Sequence, residues 1–357
     1  MNFLKKICLI IINGLFICLC SCTAQTSDRS AEKMSVLSLN IPAAYVDREY
    51  MLSYLDESEL SDGNWQMNLL YSADCGENVA YIFQNDVLTT ASRRFDIYLQ
   101  NKETGNYRLL KTLSYENQRT VFSADANQDY LFFSSAEIGE NRAFIDKISL
   151  SDGEESCIYS ENTETGRIPI VSLSGGKLYR YKDEPDKSVS IISYDTESGQ
   201  AETVRKNVLS VNPFDRVVCG AYAVDSGGTA VVFAGNKSIK TNIKSDDFDL
   251  ISARGSSVMW KSYESESLYI GDTDSGAVRE ISCCGYMGAG FTLNGFYICA
   301  NDYSENLYER ISFCNDDGAC VYESAAEGQS AAFAHYSDSF DSVLRERENE
   351  IYIYSLR

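Results

Sequence analysis

Short stretches of alternating hydrophobic and polar residues recur along the chain from about residue 45 to its end. Segments rich in Gly, Asn, Asp or Ser separate them, and no helical periodicity lasts for ten residues. Alternation with a period of two is typical of a β-strand that buries one face. The pattern therefore predicts an all-β protein.

A two-strand unit repeats within this pattern. Each copy has an alternating strand, a turn rich in Asp, Asn or Ser that ends in Gly, and a second strand. The copies span residues 95–113, 144–160, 189–204, 267–282 and 307–323, and their turn glycines are Gly105, Gly153, Gly199, Gly276 and Gly318. We expect these glycines to supply the positive φ that such hairpin turns need.

The spacing of the turns predicts the architecture. Successive turn glycines are 48, 46, 77 and 42 residues apart, and 77 corresponds to two repeats with a degenerate hairpin around residues 237–249. A further hairpin precedes most copies, at 71–84, 122–135, 170–182, 222–235 and 290–302. Two hairpins per period of 40–50 residues indicate a β-propeller of four-stranded antiparallel blades.

The two ends of the chain are expected to complete the ring. The C-terminal region offers three strands, 332–338, 342–348 and 351–357, and the segment 45–55 offers a fourth. We therefore predict a seven-bladed propeller over residues 34–357, closed by N- and C-terminal strands, which removes open sheet edges. A β-sandwich is the alternative, and the regular two-hairpin repeat argues against it.

The turn sequences KETG (102–105), DTESG (195–199) and DTDSG (272–276) resemble those of bacterial TolB-like and PQQ-like propeller repeats. The resemblance covers most of the chain and implies the shape. The Trp that recurs in PQQ-type repeats is missing, since only Trp65 and Trp260 are present. The resemblance consequently implies no cofactor and no catalytic residue.

The first 21 residues have the layout of a secretory signal peptide. Lys5 and Lys6 precede an apolar run over residues 7–19, which is shorter than the roughly 20 residues of a membrane-spanning helix. The end of the segment, Leu-Cys-Ser-Cys at 19–22, resembles the lipobox of bacterial lipoproteins, with Cys22 as the lipid acceptor. An ordinary signal peptide, or Cys20 as the acceptor, remain alternatives.

The lipobox resemblance implies a diacylglyceryl group and usually an N-acyl chain such as palmitate on Cys22. Two or more acyl chains anchor a protein stably. Polar residues 22–33 are expected to form a flexible tether. The expected location is extracytoplasmic, in the bacterial cell envelope. Thr23 in place of Asp favours the outer membrane in a diderm organism; otherwise the outer face of the cell membrane is expected.

Charge and cysteine usage restrict the function further. The formal charge of −21 excludes nucleic acid as a partner and favours cationic ligands, although solvation alone also explains it. No CxxC occurs and His335 is the only histidine, so no zinc site is predicted. Cys314 and Cys320 flank the turn CNDDGAC and are expected to face each other, where they could form a disulfide.

No catalytic, cofactor-binding or metal-ligating set can be assigned. His335 has no GxSxG motif to accompany it, and the Asp-rich stretches 272–274 and 315–318 lie where blade turns need Asp and Gly. With 52 acidic residues, some carboxylate pairs arise by chance in any fold. The leading interpretation is a non-catalytic binding scaffold for a protein, peptide or glycan. The alternative is a carboxylate-dependent glycan hydrolase or lyase.

The two rims of a propeller are expected to differ in use. Loops that join the second strand of a blade to its third, or one blade to the next, share the rim that we call the loop rim. The other rim, the turn rim, carries the short repetitive turns. Irregular loops on a rigid scaffold commonly bind ligands. The predicted loop-rim segments are 84–94, 160–167, 182–188, 283–288 and 301–308, with Arg94, Tyr286 and Tyr303 as candidate ligand contacts.

Overall fold

A computed structural model describes twelve stretches of the chain. They are residues 46–53, 66–86, 93–115, 119–137, 140–162, 167–265, 267–283, 285–302, 308–327, 334–336, 342–347 and 350–356. The predicted signal peptide (1–21), the tether (22–33), Cys22 and Tyr303 lie outside the described residues. Within the described stretches, no helix has the length and apolar character that crossing a membrane requires.

The alternating pattern forms β-strands throughout, as predicted. In chain order the first thirteen are β1 (Val46–Ser53), β2 (Gln66–Cys75), β3 (Asn78–Asp86), β4 (Arg93–Asn101), β5 (Tyr107–Tyr115), β6 (Arg119–Ala126), β7 (Tyr130–Glu137), β8 (Arg142–Ser149), β9 (Glu155–Asn162), β10 (Ser172–Ser174), β11 (Lys177–Asp183), β12 (Val189–Asp195) and β13 (Ala201–Val208).

The remaining strands follow the same meander, and a short 3₁₀ helix (Ser245–Asp247) lies between β16 and β17. They are β14 (Ala221–Asp225), β15 (Thr229–Ala234), β16 (Lys237–Lys244), β17 (Phe248–Arg254), β18 (Ser257–Ser262), β19 (Ser267–Asp272), β20 (Val278–Ser282), β21 (Tyr286–Thr292), β22 (Gly295–Asp302), β23 (Tyr308–Asn315), β24 (Cys320–Glu327), β25 (Ala334–Tyr336), β26 (Ser342–Arg347) and β27 (Glu350–Leu356).

These strands form six four-stranded antiparallel blades and one three-stranded sheet among the described residues. Blades I to III are β2–β5, β6–β9 and β10–β13. The three-stranded sheet, β14–β16, comes next. Blades IV and V are β17–β20 and β21–β24, and the closing blade is β25–β27 with β1 on its outside. The prediction of seven four-stranded blades is therefore wrong: the fold is a β-propeller with six such blades.

The missing strand of the three-stranded sheet is its innermost one. Lys237 begins β16, and its Nζ lies 2.9 Å from Asp274 Oδ1 in the third-to-fourth-strand turn of blade IV, so β16 is the outer strand. From β16 the chain passes through Ser245–Asp247 directly into β17. The predicted degenerate hairpin at 237–249 is thus wrong, because β16 ends one sheet and β17 begins the next.

Residues 216–220 take the innermost position without joining the β-ladder. Val217 packs with Tyr181 and Ile191 of blade III, while Val218 packs with Phe248 and Ala253 of blade IV. Neighbouring residues that point to opposite sides are what an inner segment between two blades requires. The loop before this irregular segment lies at the loop rim.

The hydrophobic core is divided among the interfaces between consecutive sheets. One cluster joins blades I and II, another blades II and III, and the series continues around to a cluster of the closing blade with blade I. A continuous series of face-to-face contacts that returns to its start describes a ring of sheets, not the two packed layers of a sandwich.

Both ends of the described chain meet in the closing blade, as predicted. Strand β1 pairs antiparallel with β27, and Tyr50 lies opposite Ile353. Strand β27 also pairs with β26, which places Ile353 opposite Leu344. Ile353 is only 1% exposed, so this pairing buries the centre of the closing blade.

The repeated turns have the predicted backbone geometry and also join neighbouring sheets. The five turn glycines have φ between 68° and 86°. Basic side chains of one blade donate to the turn of the next: Arg108 Nη2 lies 2.7 Å from the Leu150 carbonyl oxygen, and Lys147 Nζ lies 3.1 Å from that of Thr196. Arg254 pairs with Asp316 in the same way. The turn rim therefore holds the blades together.

Gly153 and Gly276 provide a matched test of this packing, because both have a φ of 74°. Alanine at either position should cost about 1–2 kcal/mol for the left-handed backbone. At Gly153 a Cβ would also lie 2.8 Å from the Leu110 carbonyl oxygen of blade I, whereas at Gly276 it meets nothing within 4 Å. Gly153→Ala should therefore lower the free energy of unfolding more than Gly276→Ala, measured by denaturant titration. Equal losses would contradict the close approach of the two blades.

Candidate functional site

The structure separates the residues that the sequence suggested as ligand contacts. Arg94 is the second residue of the third strand of blade I, where its Nε lies 3.1 Å from Asp96 Oδ1, and its side chain is 41% exposed. Tyr286 begins the inner strand of blade V. Arg94 is thus balanced by a neighbouring carboxylate. Of these two candidates, Tyr286 belongs to the polar cluster described next.

Two carboxylates and a tyrosine lie at the loop rim between the three-stranded sheet and blade IV. Asp249 is the second residue of the inner strand β17, and Asp215 lies in the loop that precedes residues 216–220. The Tyr263 hydroxyl lies 3.5 Å from Asp215 Oδ1 and also hydrogen-bonds with Asp249. The hydroxyl therefore links the two acids.

Burial shifts the protonation of both acids toward the neutral form. Burial and the negative charge of Asp215 together raise the pKa of Asp249 to about 7, against the opposing charge of Lys261. Burial also raises the pKa of Asp215, although hydrogen bonds from Ser210 and the Asn212 backbone lower it. Asp249 is consequently an acid that exchanges its proton near neutral pH.

Lys261 supplies the positive charge that faces this pair. The β17–β18 register places it opposite Asp249, with Nζ 4.0 Å from Asp249 Oδ2. Its Nζ also lies 4.8 Å from the ring centre of Tyr263 and 4.7 Å from that of Tyr286. A cation within about 6 Å of an aromatic face is attracted to it. We call Asp249, Tyr263 and Tyr286 the cage.

The loop that carries Asp215 is held from blade III. Arg167 Nη1 donates to Ser210 Oγ at 2.9 Å and to the Asn212 carbonyl at 3.2 Å. Its Nε donates to Asp183 Oδ1 at 2.6 Å. Ser210 Oγ lies 2.9 Å from Asp215 Oδ2. One buried guanidinium thus orders the loop and, through Ser210, the carboxylate.

Asp247 holds the other side of the cluster. Its Oδ1 accepts a hydrogen bond from the Glu264 backbone at 2.6 Å, and its carbonyl accepts one from the Tyr263 backbone at 3.0 Å. Its second carboxylate oxygen accepts the Ser262 hydroxyl. Because Asp247 immediately precedes β17, the strand that bears Asp249 also positions Tyr263.

Arg216 extends from the same loop into the ring of inner strands. Its Nη2 donates to the Ala124 carbonyl of β6 at 2.8 Å, across the intervening blade III. Burial raises the pKa of Asp125, and it raises the pKa of Tyr71 to about 12. The positive charge of Arg216 acts against both increases. The space inside the ring therefore contains a positive charge near Asp125 and Tyr71.

The cysteine pair lies away from this cluster, at the turn rim of blade V. Cys314 and Cys320 are opposite each other in the β23–β24 register, as predicted, and both are free thiols. The hydrogen bond between them raises the pKa of Cys314 and lowers that of Cys320 to about 7. Their disulfide stays a prediction.

No metal centre is seen in the described part of the chain, where no three His, Cys, Asp or Glu side chains group closely enough to hold an ion. The acidic pair was missed by the sequence analysis because its two members are 34 positions apart among 52 acids. The turn Asn-Pro-Phe-Asp at 212–215 was the one local signal, since it interrupts the strand pattern with Pro213.

The chain matches no protein-family profile, and no curated protein sequence matches it significantly. Its fold is nevertheless similar to solved structures. The propeller domain of the Trilobed protease from Pyrococcus furiosus is 15% identical, with a TM-score of 0.54 over 81% of this chain and 93% of that one. At this identity the likeness shows the β-propeller fold alone.

Two further structures are similar. The acylaminoacyl peptidase of Pyrococcus horikoshii is 13% identical, with a TM-score of 0.51 over 85% of this chain, which spans 53% of that one. TolB from Acinetobacter baumannii is 14% identical, with a TM-score of 0.43 over 74% of this chain and 79% of that one. The function must accordingly be argued from the cluster itself.

The raised pKa of Asp249 predicts how stability depends on pH. The folded chain holds a proton up to about pH 7 that the unfolded chain, with an ordinary pKa of 3.8, releases earlier. The contribution of Asp249 to the free energy of unfolding is therefore fully present below pH 3.8 and is lost as the pH rises to about 7. Asp249→Asn should reduce the loss of unfolding free energy between pH 4 and pH 8 by about 2–4 kcal/mol.

Urea titrations of both proteins at several pH values measure this difference. The other titrating groups are common to the two proteins and cancel in the comparison. Parallel curves for wild type and Asp249→Asn would show that Asp249 is well solvated and that the described burial is wrong.

Proposed function

We propose that the protein is a lipid-anchored extracytoplasmic binding protein whose propeller presents its loop rim to a partner. The lipobox-like sequence at 19–22 supports lipid attachment at Cys22, and the polar residues that follow supply a tether. In a diderm organism the proposed location is the outer membrane; otherwise it is the outer face of the cell membrane. The bound partner is a protein, peptide or glycan.

The binding role rests on one observation, the carboxylate pair Asp215–Asp249 beneath the Tyr263 hydroxyl at the loop rim. Burying two like charges costs free energy, which their hydrogen bonds offset only in part. Such costs are concentrated at functional sites. The cluster also lies on the irregular loops, while the turn rim is occupied by contacts between sheets.

The charge of the chain is consistent with this proposal. A formal charge of −21 disfavours nucleic acid and anionic lipid surfaces as partners. It also steers cationic partners toward the molecule. We therefore propose a non-catalytic scaffold, with recognition centred on the acidic pair.

A carboxylate-dependent glycan hydrolase or lyase is the second candidate. The observation in its favour is the pKa of Asp249, about 7, beside a second carboxyl group. An acid with a pKa near the working pH is suited to general acid–base catalysis. Release of sugar products from a polysaccharide panel, lost in Asp249→Asn, would favour this candidate over a scaffold.

Cys22→Ser tests the anchor. Without the thiol no lipid can be attached, so the variant should leave the membrane fraction or accumulate as the uncleaved precursor. Fractionation with and without detergent, and the electrophoretic mobility of the product, measure both outcomes. Cys20→Ser is the matched control and should behave as wild type; unchanged membrane partitioning of Cys22→Ser would disprove the proposed attachment.

A second experiment tests the binding face. Three full-length proteins in detergent are each applied to arrays of peptides and glycans. They are the wild type and the double variants Asp249→Asn/Tyr263→Ala and Asp152→Asn/Glu197→Gln. The first pair changes the loop rim and the second changes the turn rim. Compared with the wild type, the binding signals should be about tenfold weaker or more in the loop-rim variant and unchanged in the turn-rim variant.

Asp152 and Glu197 are suitable control positions at the turn rim, because neither contacts a neighbouring blade through a described hydrogen bond or ion pair. Glu197 is exposed, and Asp152 accepts local hydrogen bonds, one from the Glu154 backbone at 3.0 Å and one from the Ser149 side chain. Asp316 is unsuitable, because it pairs with Arg254 of the neighbouring blade. Loss of binding in the turn-rim variant, or no binding by the wild type to any array, would contradict the proposed function.

A further inference from the structure

The cage already holds a cation, and that cation belongs to the protein. The Lys261 ammonium lies 4.8 Å and 4.7 Å from the ring centres of Tyr263 and Tyr286. Asp249 Oδ2 is 4.0 Å away. Two aromatic faces and a carboxylate around one ammonium group form the arrangement by which proteins recognise cationic groups of ligands.

Lys261 is held loosely in this cage. Its distance of 4.0 Å to Asp249 exceeds a hydrogen bond, whereas Lys102 Nζ closes to 2.7 Å on Asp74 Oδ1 elsewhere in the fold. The Lys261 and Asp249 side chains are 22% and 17% exposed. A partner can therefore reach the cage, and the lysine can leave it without breaking a hydrogen bond to Asp249.

An apolar surface adjoins the cage. Val211, Phe214 and Tyr263 are 38%, 40% and 43% exposed, so each presents apolar surface to a partner. Val211 and Phe214 lie in the loop whose Asp215 contacts the Tyr263 hydroxyl, so this loop brings them near the cage. Because Arg167 orders this loop, a partner need not order it on binding.

We propose that Lys261 occupies the place of a ligand's cation, and that the cage binds a lysine- or arginine-containing segment of a protein partner by displacing it. This inference rests on the proposed function and names its ligand. The partner's ammonium or guanidinium group enters between Tyr263 and Tyr286, and an apolar neighbour packs on Phe214 and Val211. The acidic chain favours a basic segment over an acidic one.

Displacement predicts an unusual effect of removing a charge. Without the Lys261 ammonium the cage loses its built-in competitor, and Asp249 loses its internal counter-charge. Lys261→Met, which keeps the length of the side chain, should therefore bind a cationic segment more tightly. A lysine with a purely structural role would produce weaker binding or none.

The experiment is isothermal titration of the full protein in detergent with three probes. They are a short peptide with blocked ends whose one charged side chain is the lysine of a central Lys-Phe, the same peptide with Glu for Lys, and tetramethylammonium chloride as competitor. Lys261→Met should bind the Lys-Phe peptide about tenfold more tightly than wild type, and Asp249→Asn about tenfold more weakly. Tetramethylammonium should compete with the peptide.

Two further variants make the result specific. Lys240→Met removes the same charge from an exposed position of strand β16 and should leave the affinity unchanged. Lys261→Arg retains a cation in the cage and should bind as wild type. Melting temperatures establish that all variants are folded.

Binding of the Lys-Phe peptide that is unchanged or weaker in Lys261→Met would overturn the inference, as would preference for the Glu peptide or no binding by either protein. A glycan or neutral ligand that binds the wild type and is lost in Asp249→Asn/Tyr263→Ala would overturn the cation cage and leave the proposed function standing. Insensitivity of every ligand to that double variant would overturn both.

Discussion

The antiparallel pairing of β1 with β27 is the contact on which the ring depends, because it joins the two ends of the described chain. Each blade buries its faces only against its neighbours, so a propeller without closure would leave two blades half exposed. The pairing fixes Ile353 and Leu344 in the core between the closing blade and blade I. All loop-rim residues are positioned relative to a ring closed in this way.

One irregularity in that ring generates the candidate site. Where other sheets have an inner strand, residues 216–220 lie outside the ladder, and the loop before them is ordered by Arg167 instead of strand pairing. This loop brings Asp215 to Tyr263, and the immediate passage from Asp247 into β17 brings Asp249 to the same place. The regular blades form a rigid scaffold, and the loop before the three-stranded sheet brings the polar side chains of the site together.

The sequence was sufficient for the parts of the fold that local rules control. Alternation predicted the strands, turn sequences predicted positive φ at Gly153 and Gly276, and the ends were correctly paired. It failed at residues 209–249, where tertiary contacts override the repeat: a buried segment replaces a strand. The site could not be predicted because Asp215 lies in the loop before the three-stranded sheet and Lys261 lies in blade IV, and no sequence pattern specifies that proximity.

Hydrogen exchange on the full protein, with and without the Lys-Phe peptide, shows whether the loop rim around the cage is the binding face. Added protection is expected at residues 209–215 and 261–264, and at the start of β21. Protection confined to turns of the other rim, such as 151–154 and 196–199, would contradict a binding face at the loop rim.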